Sequence, residues 1–404
     1  MRICFVSRRF FPAISGMSVY ALNLLRELTR DGHDVTMISQ YRGDETGVRV
    51  YGGGPPPPVP GVHVIGLEAH GEQAGGDFEA DVRAMVGQVV REHAVQPFDI
   101  IHAQYGYPTG FAALTASKQL GVPCVVSIQG GDGHWVGLCC ATHKAAMLAV
   151  LDHADALLIG SKSFAEEVRQ NHGTPLTRFT IIPGAVDVQR FSPGQLAGEA
   201  HEPLRVLYHG RVDARKGVLD LLEAWRQVPA TARLVISGIG PDMEAVAAKI
   251  TELDLGDSVE QTGYVAYGDV PEIYRSCDIF VSPTYAEGFS NTILEAMASG
   301  LPVVSTRAVG VVDCLRDNEN GLLVEPGDVA ALRHALTRML TEPALRERLA
   351  ATALREARDI YSWRTVSRLI VDTYERLRGT KPDVAWSCDD KITPCRFRSA
   401  PHLL

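Results

Sequence analysis

Two carboxylates and two cations in the second half of the chain carry the clearest chemical pattern. Glu287 and Glu295 bound the run Glu287-Gly-Phe-Ser-Asn-Thr-Ile-Leu-Glu295, and Arg211 and Lys216 lie in the turn Gly210-Arg-Val-Asp-Ala-Arg-Lys-Gly217. A strand-to-helix turn such as 287–295 points backbone N–H groups, at the positive end of a helix dipole, towards an anion. Carboxylates beside that turn can accept hydrogen bonds from hydroxyls. The pattern suits a ligand that joins phosphate to polyol rings. At an effective dielectric of about 20, a cation ~4 Å from a phosphate gains roughly 4 kcal/mol of gross attraction. Two such cations and a helix N-terminus can stabilise a departing diphosphate without a metal. Plainer readings exist for each part. Thr292-x-x-Glu295 also fits a capping box, Glu287 can be a loop charge, and 210–217 can be a solvated basic turn.

The elements that must hold these groups follow from the flanking sequence. Asp278–Pro283 reads as a strand, Thr292–Ser299 as a helix stopped by Gly300, and Leu301–Thr306 as the next strand. The 210–217 turn follows a strand at Leu204–His209 and precedes a helix at Val218–Gln227. A strand at Ala232–Ser237 and a helix at Met243–Leu253 come next. The first half repeats the alternation. Arg2–Ser7 is a buried strand. Ala21, Leu24, Leu25 and Leu28 mark one helix face by their spacing, and Asp34–Ser39 is a second strand. The loop between them offers only Gly16 for close approach to phosphate. It is not GxGxxG, which disfavours a dinucleotide site. Strands at Phe98–His102 and Val122–Ile128 lead into His102, Gln104, Gln129 and Asp132. Polar groups at such strand ends face the ligand crevice of an α/β sheet, so these four are candidate ligand contacts. A lone histidine such as His102 is more often a satisfied structural group.

Further helices are expected at 81–93, 111–120, 142–154 and 163–172, with strands at 156–159 and 179–183. Residues 43–81 read as loops around a short strand near Val62–Gly66. Residues 192–203 have linker composition, after which the alternation restarts, so two parallel-sheet domains fit better than one large sheet. Helices at 329–340 and 343–356 close the second. Ser362–Leu377 is a helix with Trp363, Val366, Leu369, Ile370 and Tyr374 on its apolar side. The tail from Gly379 reads as a poorly ordered extension, although Cys388 and Cys395 make a disulfide or metal site conceivable.

The 404 residues suffice for two or three domains, and 46% hydrophobic against 22% charged is a globular balance. A net charge of −9 disfavours a nucleic-acid partner and strong docking on anionic lipid. Through residue 195 the net charge is −3 and no basic amphipathic helix occurs. The apolar run after Met1 is too short for a signal peptide and no run approaches a membrane span. Four of the eight cysteines (Cys4, Cys124, Cys277, Cys314) lie in or beside apolar runs and no CxxC occurs. A cytoplasmic protein, in at most peripheral contact with membranes, is the expectation. HExxH, a strand-end DxD and GxSxG are all missing.

Taken together, the motifs resemble a retaining GT-B glycosyltransferase of the GT4 (group 1) family, over about residues 1–378. The resemblance rests on Glu287-x7-Glu295 within EGFSNTILEAMASGLPVVST, the GR…KG turn at 210–217, Pro183-Gly-Ala-Val-Asp187 with Phe191-Ser-Pro193, and Asn320-Gly-Leu-Leu-Val-Glu-Pro-Gly327. It implies an α/β GT-B fold: two Rossmann-like domains facing across a cleft, and a C-terminal helix returning to the first. The implied division is 1–195 for the acceptor, 204–360 for the nucleotide sugar, 361–378 for the returning helix and 379–404 as tail.

The resemblance further implies that Arg211 and Lys216 neutralise the diphosphate and that Glu295 holds the ribose hydroxyls. Glu287 and the N–H groups of Phe289, Ser290 and Asn291 hold the donor sugar, with Gly210 and Thr292 in the same turns. Backbone at Tyr264-Val265 meets the base, and Gly16 approaches the phosphate. No cofactor or metal is implied beyond the nucleotide-diphosphate sugar, most commonly a UDP-sugar. A soluble small-molecule or saccharide acceptor is expected. Many relatives carry histidine where this chain has Gln104 and Gln129, and neither glutamine can trade protons. A sugar-nucleotide epimerase or phosphorylase of the same fold, or a non-catalytic partner subunit, are the alternatives.

Overall fold

The structure, a computed structural model, describes all residues except 46–47, 49–51, 72–75, 135, 195–200, 229–231, 389–390 and 400–404, and leaves out the side chains of 132–133. The chain forms two compact units: Met1–Pro183 together with Val366–Leu404, and Gly184–Thr365.

The first unit is built on seven strands: β1 Arg2–Ser7, β2 Asp34–Tyr41, β3 Val62–Glu68, β4 Ile100–Gln104, β5 Cys124–Ile128, β6 Ala156–Ile159 and β7 Phe179–Ile181. Their order is β3-β2-β1-β4-β5-β6-β7, all parallel. The second unit has six: β8 Leu204–His209, β9 Ala232–Ser237, β10 Val259–Gly263, β11 Ile279–Ser282, β12 Val303–Thr306 and β13 Leu322–Val324. Their order is β10-β9-β8-β11-β12-β13, again all parallel. Central strands such as β4, β5, β11 and β12 are buried along their whole length. That is the requirement of a parallel sheet covered on both faces, and it explains their unbroken apolar runs. In each sheet the strand order reverses beside the first strand, between β1 and β4 and between β8 and β11. Ligands of open α/β sheets collect at the carboxyl ends of strands at such a reversal.

The division falls at Pro183/Gly184, earlier than the linker composition of 192–203 suggests. Val186 and Phe191 are buried in the second unit's core, and the Val186 N–H donates to the Tyr361 carbonyl at 2.8 Å. The helix Trp363–Leu377 belongs to the first unit from Val366 onwards. Val366, Ile370 and Tyr374 are fully buried, whereas Leu369 is 40% exposed, so the apolar face is narrower than the sequence spacing indicates.

Two other expectations change. The segment 43–81 contains a full edge strand: β3 pairs with β2 from Val35↔Val62 to Tyr41↔Glu68. The described part of the tail packs on the first unit. Trp386 and Phe397 are buried, and Trp386 stacks on His153 at 6.1 Å and meets Phe111 at 6.0 Å. Arg398 forms a two-pronged ion pair with Glu79 at 2.6 and 2.8 Å. Burial of two large aromatic rings supplies the driving force that the tail's local sequence conceals.

Candidate active site

In the second unit the turns after β8 and β11 are joined. The Tyr285 N–H donates to the Arg215 carbonyl at 3.1 Å. Lys216 Nζ pairs with Glu287 Oε1 at 2.7 Å and lies 3.4 Å from the Ala286 carbonyl. Gly217 makes this approach feasible. Its φ is +71°, and a Cβ there would stand 1.9 Å from the Pro283 carbonyl oxygen. Arg211 is half exposed, with Nε 3.3 Å from Asp213 Oδ2. Asp213 is held mainly by Arg215, at 3.0 and 2.6 Å, and this pairing keeps its carboxyl below the usual range. Tyr208 donates its hydroxyl to the Arg211 carbonyl at 2.8 Å and so fixes the turn from beneath. The structure therefore brings Lys216 and Glu287 into contact and leaves the Arg211 guanidinium reaching solvent.

The helix after β11 spans Asn291–Ala298 with Ser290 at its N-cap and no side-chain cap. Ser290 Oγ and Thr292 Oγ1 lie 3.3 Å apart. Among the described residues, no backbone carbonyl accepts from the N–H of Phe289 or Ser290. These groups are available at the positive helix end. A Cβ on Gly210 would lie 3.9 Å from Thr292 Cγ2, so the two turns are neighbours there as well. The Phe289 ring fills the space over Gly184 and sits 5.8 Å from the Tyr361 ring.

Glu295 does not close a capping box. Its Oε2 accepts from the Tyr274 hydroxyl at 2.9 Å, and the residue is 7% exposed. Burial raises its carboxyl to about 7, against the opposing pull of the Tyr274 hydrogen bond and the Arg190 charge. Tyr274 comes from the short helix Val270–Arg275, which begins at Val-Pro and has too few residues to show a periodicity. His209, at the end of β8, packs edge-on to Tyr274 at 5.5 Å. Its ring is held by Ser237 Oγ at 3.1 Å, and burial lowers its titration to about 4. Tyr264 lies beyond β10 and is 58% exposed, while Val265 packs against the core.

In the first unit, Gly16 is the first residue of the helix Gly16–Arg30, behind an N-cap at Ser15. His102 is fully buried. Its Nδ1 is 2.5 Å from the Tyr374 hydroxyl and its Nε2 is 2.8 Å from Ser127 Oγ. Burial drops its titration to about 3. Both nitrogens are engaged within the protein, as those of a structural histidine are. Gln104 is also fully buried. It accepts from Ser7 Oγ at 3.0 Å, and its amide donates to the Met17 carbonyl at 3.1 Å and to Gln129 Oε1 at 3.0 Å. Gln104 thus reaches Gln129 and not solvent. The two departures from the family's histidines form one hydrogen-bonded pair. Gln129 is partly exposed at the end of β5; Asp132 lies in the short helix Gly131–His134 and its side chain is outside the described residues. One feature escaped sequence reasoning. Tyr105, after β4, holds φ at +85°, an uncommon conformation for a bulky residue and a marker of constrained sites.

Two family models match most of the chain: a glycosyl transferase 4-like domain over residues 15–185 and glycosyl transferases group 1 over residues 203–342. The chain is a group 1 glycosyltransferase. This transferase is 29% identical over 382 residues to a D-inositol 3-phosphate glycosyltransferase of Stackebrandtia nassauensis, covering 85% of this chain and 82% of that one. It is 25% identical over 402 residues to a glycogen synthase of Mycobacterium tuberculosis, covering 93% and 94%. The solved sucrose-phosphate synthase of Thermosynechococcus elongatus superposes with a TM-score of 0.76 at 23% identity, covering 93% and 98%. Anabaena HepE in complex with UDP does so at 0.72 and 19%, covering 93% and 100%. The fold is GT-B with two Rossmann-like α/β domains, and the enzyme takes a nucleotide-sugar donor. No described helix is long and apolar enough to cross a membrane.

Proposed function

We propose that the enzyme is a retaining, metal-independent hexosyltransferase that moves a sugar from a UDP-sugar to a hydroxyl of a soluble small-molecule or saccharide acceptor. The observation that carries this reading is the 2.7 Å Lys216–Glu287 pair beside the uncapped helix start at Phe289-Ser290. A donor diphosphate placed there competes with Glu287 for Lys216. Glu287 is then released to accept from the sugar hydroxyls. Arg211 adds the second positive charge, and the N–H groups of Phe289, Ser290 and Asn291 complete the anion site. Glu295, set one turn into the helix, accepts from the ribose hydroxyls with Tyr274 behind it. Backbone at Tyr264-Val265 borders the base.

Charge developing on the leaving diphosphate meets two cations and a helix dipole already in place, so the second unit supplies the electrostatic stabilisation by itself. With His102 buried and Gln104 unable to exchange a proton, the leaving phosphate oxygen is the base that takes the acceptor's proton. That arrangement requires attack from the face the nucleotide leaves, with retained configuration. UDP as the nucleotide is supported by HepE, of the same fold, which has been solved with UDP and with UDP-glucose. A small polyhydroxylated acceptor is supported by the relative named for D-inositol 3-phosphate. Dilute methanol, as a surrogate acceptor, tests the stereochemistry. An α-linked UDP-sugar should give the α-methyl glycoside, which does not mutarotate and is read by NMR. The β-glycoside would rule out retention.

A further inference from the structure

We propose that Cys139, Cys140, His143 and Cys395 form a closed, four-ligand zinc site that fastens the C-terminal tail to the first unit. The four ligand atoms lie within 4.8 Å of one another. His143 Nδ1 is 3.1 Å from Cys139 Sγ and 3.7 Å from Cys395 Sγ. With Zn–S at about 2.3 Å and Zn–N at about 2.0–2.1 Å, a tetrahedral site has N···S edges of about 3.5 Å and S···S edges of about 3.8 Å. Contraction of about an ångström at the widest edge brings the set to that geometry.

The surroundings are those of a built site. Cys140 is the N-cap of the helix Ala141–His153, and its sulfur accepts from the His143 N–H at 3.4 Å. A helix start and an N–H bond both favour the thiolate. The His143 ring is fully buried, held between Tyr107 at 4.6 Å and Phe78 at 5.5 Å. Its Nε2 has no hydrogen-bond partner. With the proton on Nε2, the lone pair of the neutral imidazole is on Nδ1, and that nitrogen faces two sulfurs. A thiol hydrogen bond is weak compensation; a metal bond is strong.

Cys395 is brought there by specific contacts. The Thr393 N–H donates to Thr142 Oγ1 at 2.8 Å, and the Thr142 N–H donates to Thr393 Oγ1 at 3.2 Å. Three residues after Cys395, Arg398 grips Glu79. Three thiols and one imidazole form a soft donor set that selects zinc over magnesium or calcium, and four protein ligands leave no open position for catalysis. Binding releases the thiol protons and needs no change of redox state.

The test uses tag-free, full-length enzyme. Metal analysis after desalting should find about one zinc ion per chain, falling to about a tenth or less in Cys395→Ser and in His143→Ala and unchanged in Cys388→Ser. Cobalt exchanged into the wild type should show the thiolate charge-transfer and tetrahedral d–d bands. A strong chelator should expose residues 379–399 to proteolysis. The proposal is overturned by wild-type protein that takes up neither zinc nor cobalt. It is equally overturned by a chain two mass units light because two of the three cysteines are joined as a disulfide, or by zinc that persists in both ligand variants. Because the wild-type measurements decide by themselves, a misfolded variant does not shelter the idea.

Discussion

Glu295 is a buried carboxylic acid within the proposed donor site. Its carboxyl is raised to about 7 by burial, against about 4.3 in an unfolded chain. Between those values the folded protein holds a proton that the unfolded chain has lost. The stabilisation is fully present below the unfolded value and disappears as pH rises through 7, an effect on the order of 3 kcal/mol. A ligand whose hydroxyls bond the carboxylate must displace that proton below pH 7. UDP affinity should therefore climb with pH by up to about tenfold per unit between about pH 5.5 and 7 beyond the slope shown by Glu295→Gln. Titration calorimetry across that range reads it, and parallel slopes for the two proteins would remove Glu295 from the donor site. Residue type and spacing mark Glu287, Arg211 and Lys216 as candidates. What could not be read was the pairing: Lys216 meets Glu287 across 71 positions because β8 and β11 are neighbours, and strand order is not written in a local pattern. For the same reason nothing in the local sequence marks Tyr274 or pairs His102 with Tyr374 and Ser127.

At the scale of elements, the buried strands declared themselves because a parallel sheet covered on both faces demands unbroken apolar runs. The exceptions obey the same physics. β10 reads Val-Glu-Gln-Thr-Gly at an edge, with Glu260 and Gln261 exposed, and β13 is three residues long; neither has the run that marks a central strand. The order of the tail is hidden from its local sequence because Trp386 packs on Phe111 and His153, more than two hundred positions away. The helix Trp363–Leu377 carries a testable consequence. Ile370 is fully buried and belongs to the first unit, so Ile370→Ala should cost about 2–5 kcal/mol. In a calorimetric scan the loss should fall on the first unit's transition and spare the second's. A shift confined to the second unit would show that the helix is assigned to the wrong core.

For the whole molecule, two Rossmann-like units divide the work. The second gathers cations, an uncapped helix start and a buried carboxylate at its strand reversal. The first places a glutamine pair and a strained Tyr105 at its own. The donor's diphosphate should be held by Arg211 and Lys216, and ligand-induced stabilisation is the direct test. Thermal unfolding is followed with UDP, GDP, ADP and NAD, on the wild type and on Arg211→Ala/Lys216→Ala. A ligand at 100 times its Kd should add about 2.7 kcal/mol. UDP should stabilise the wild type, and the double variant should lose the effect. Stabilisation by NAD alone, or by UDP equally in both proteins, would contradict it.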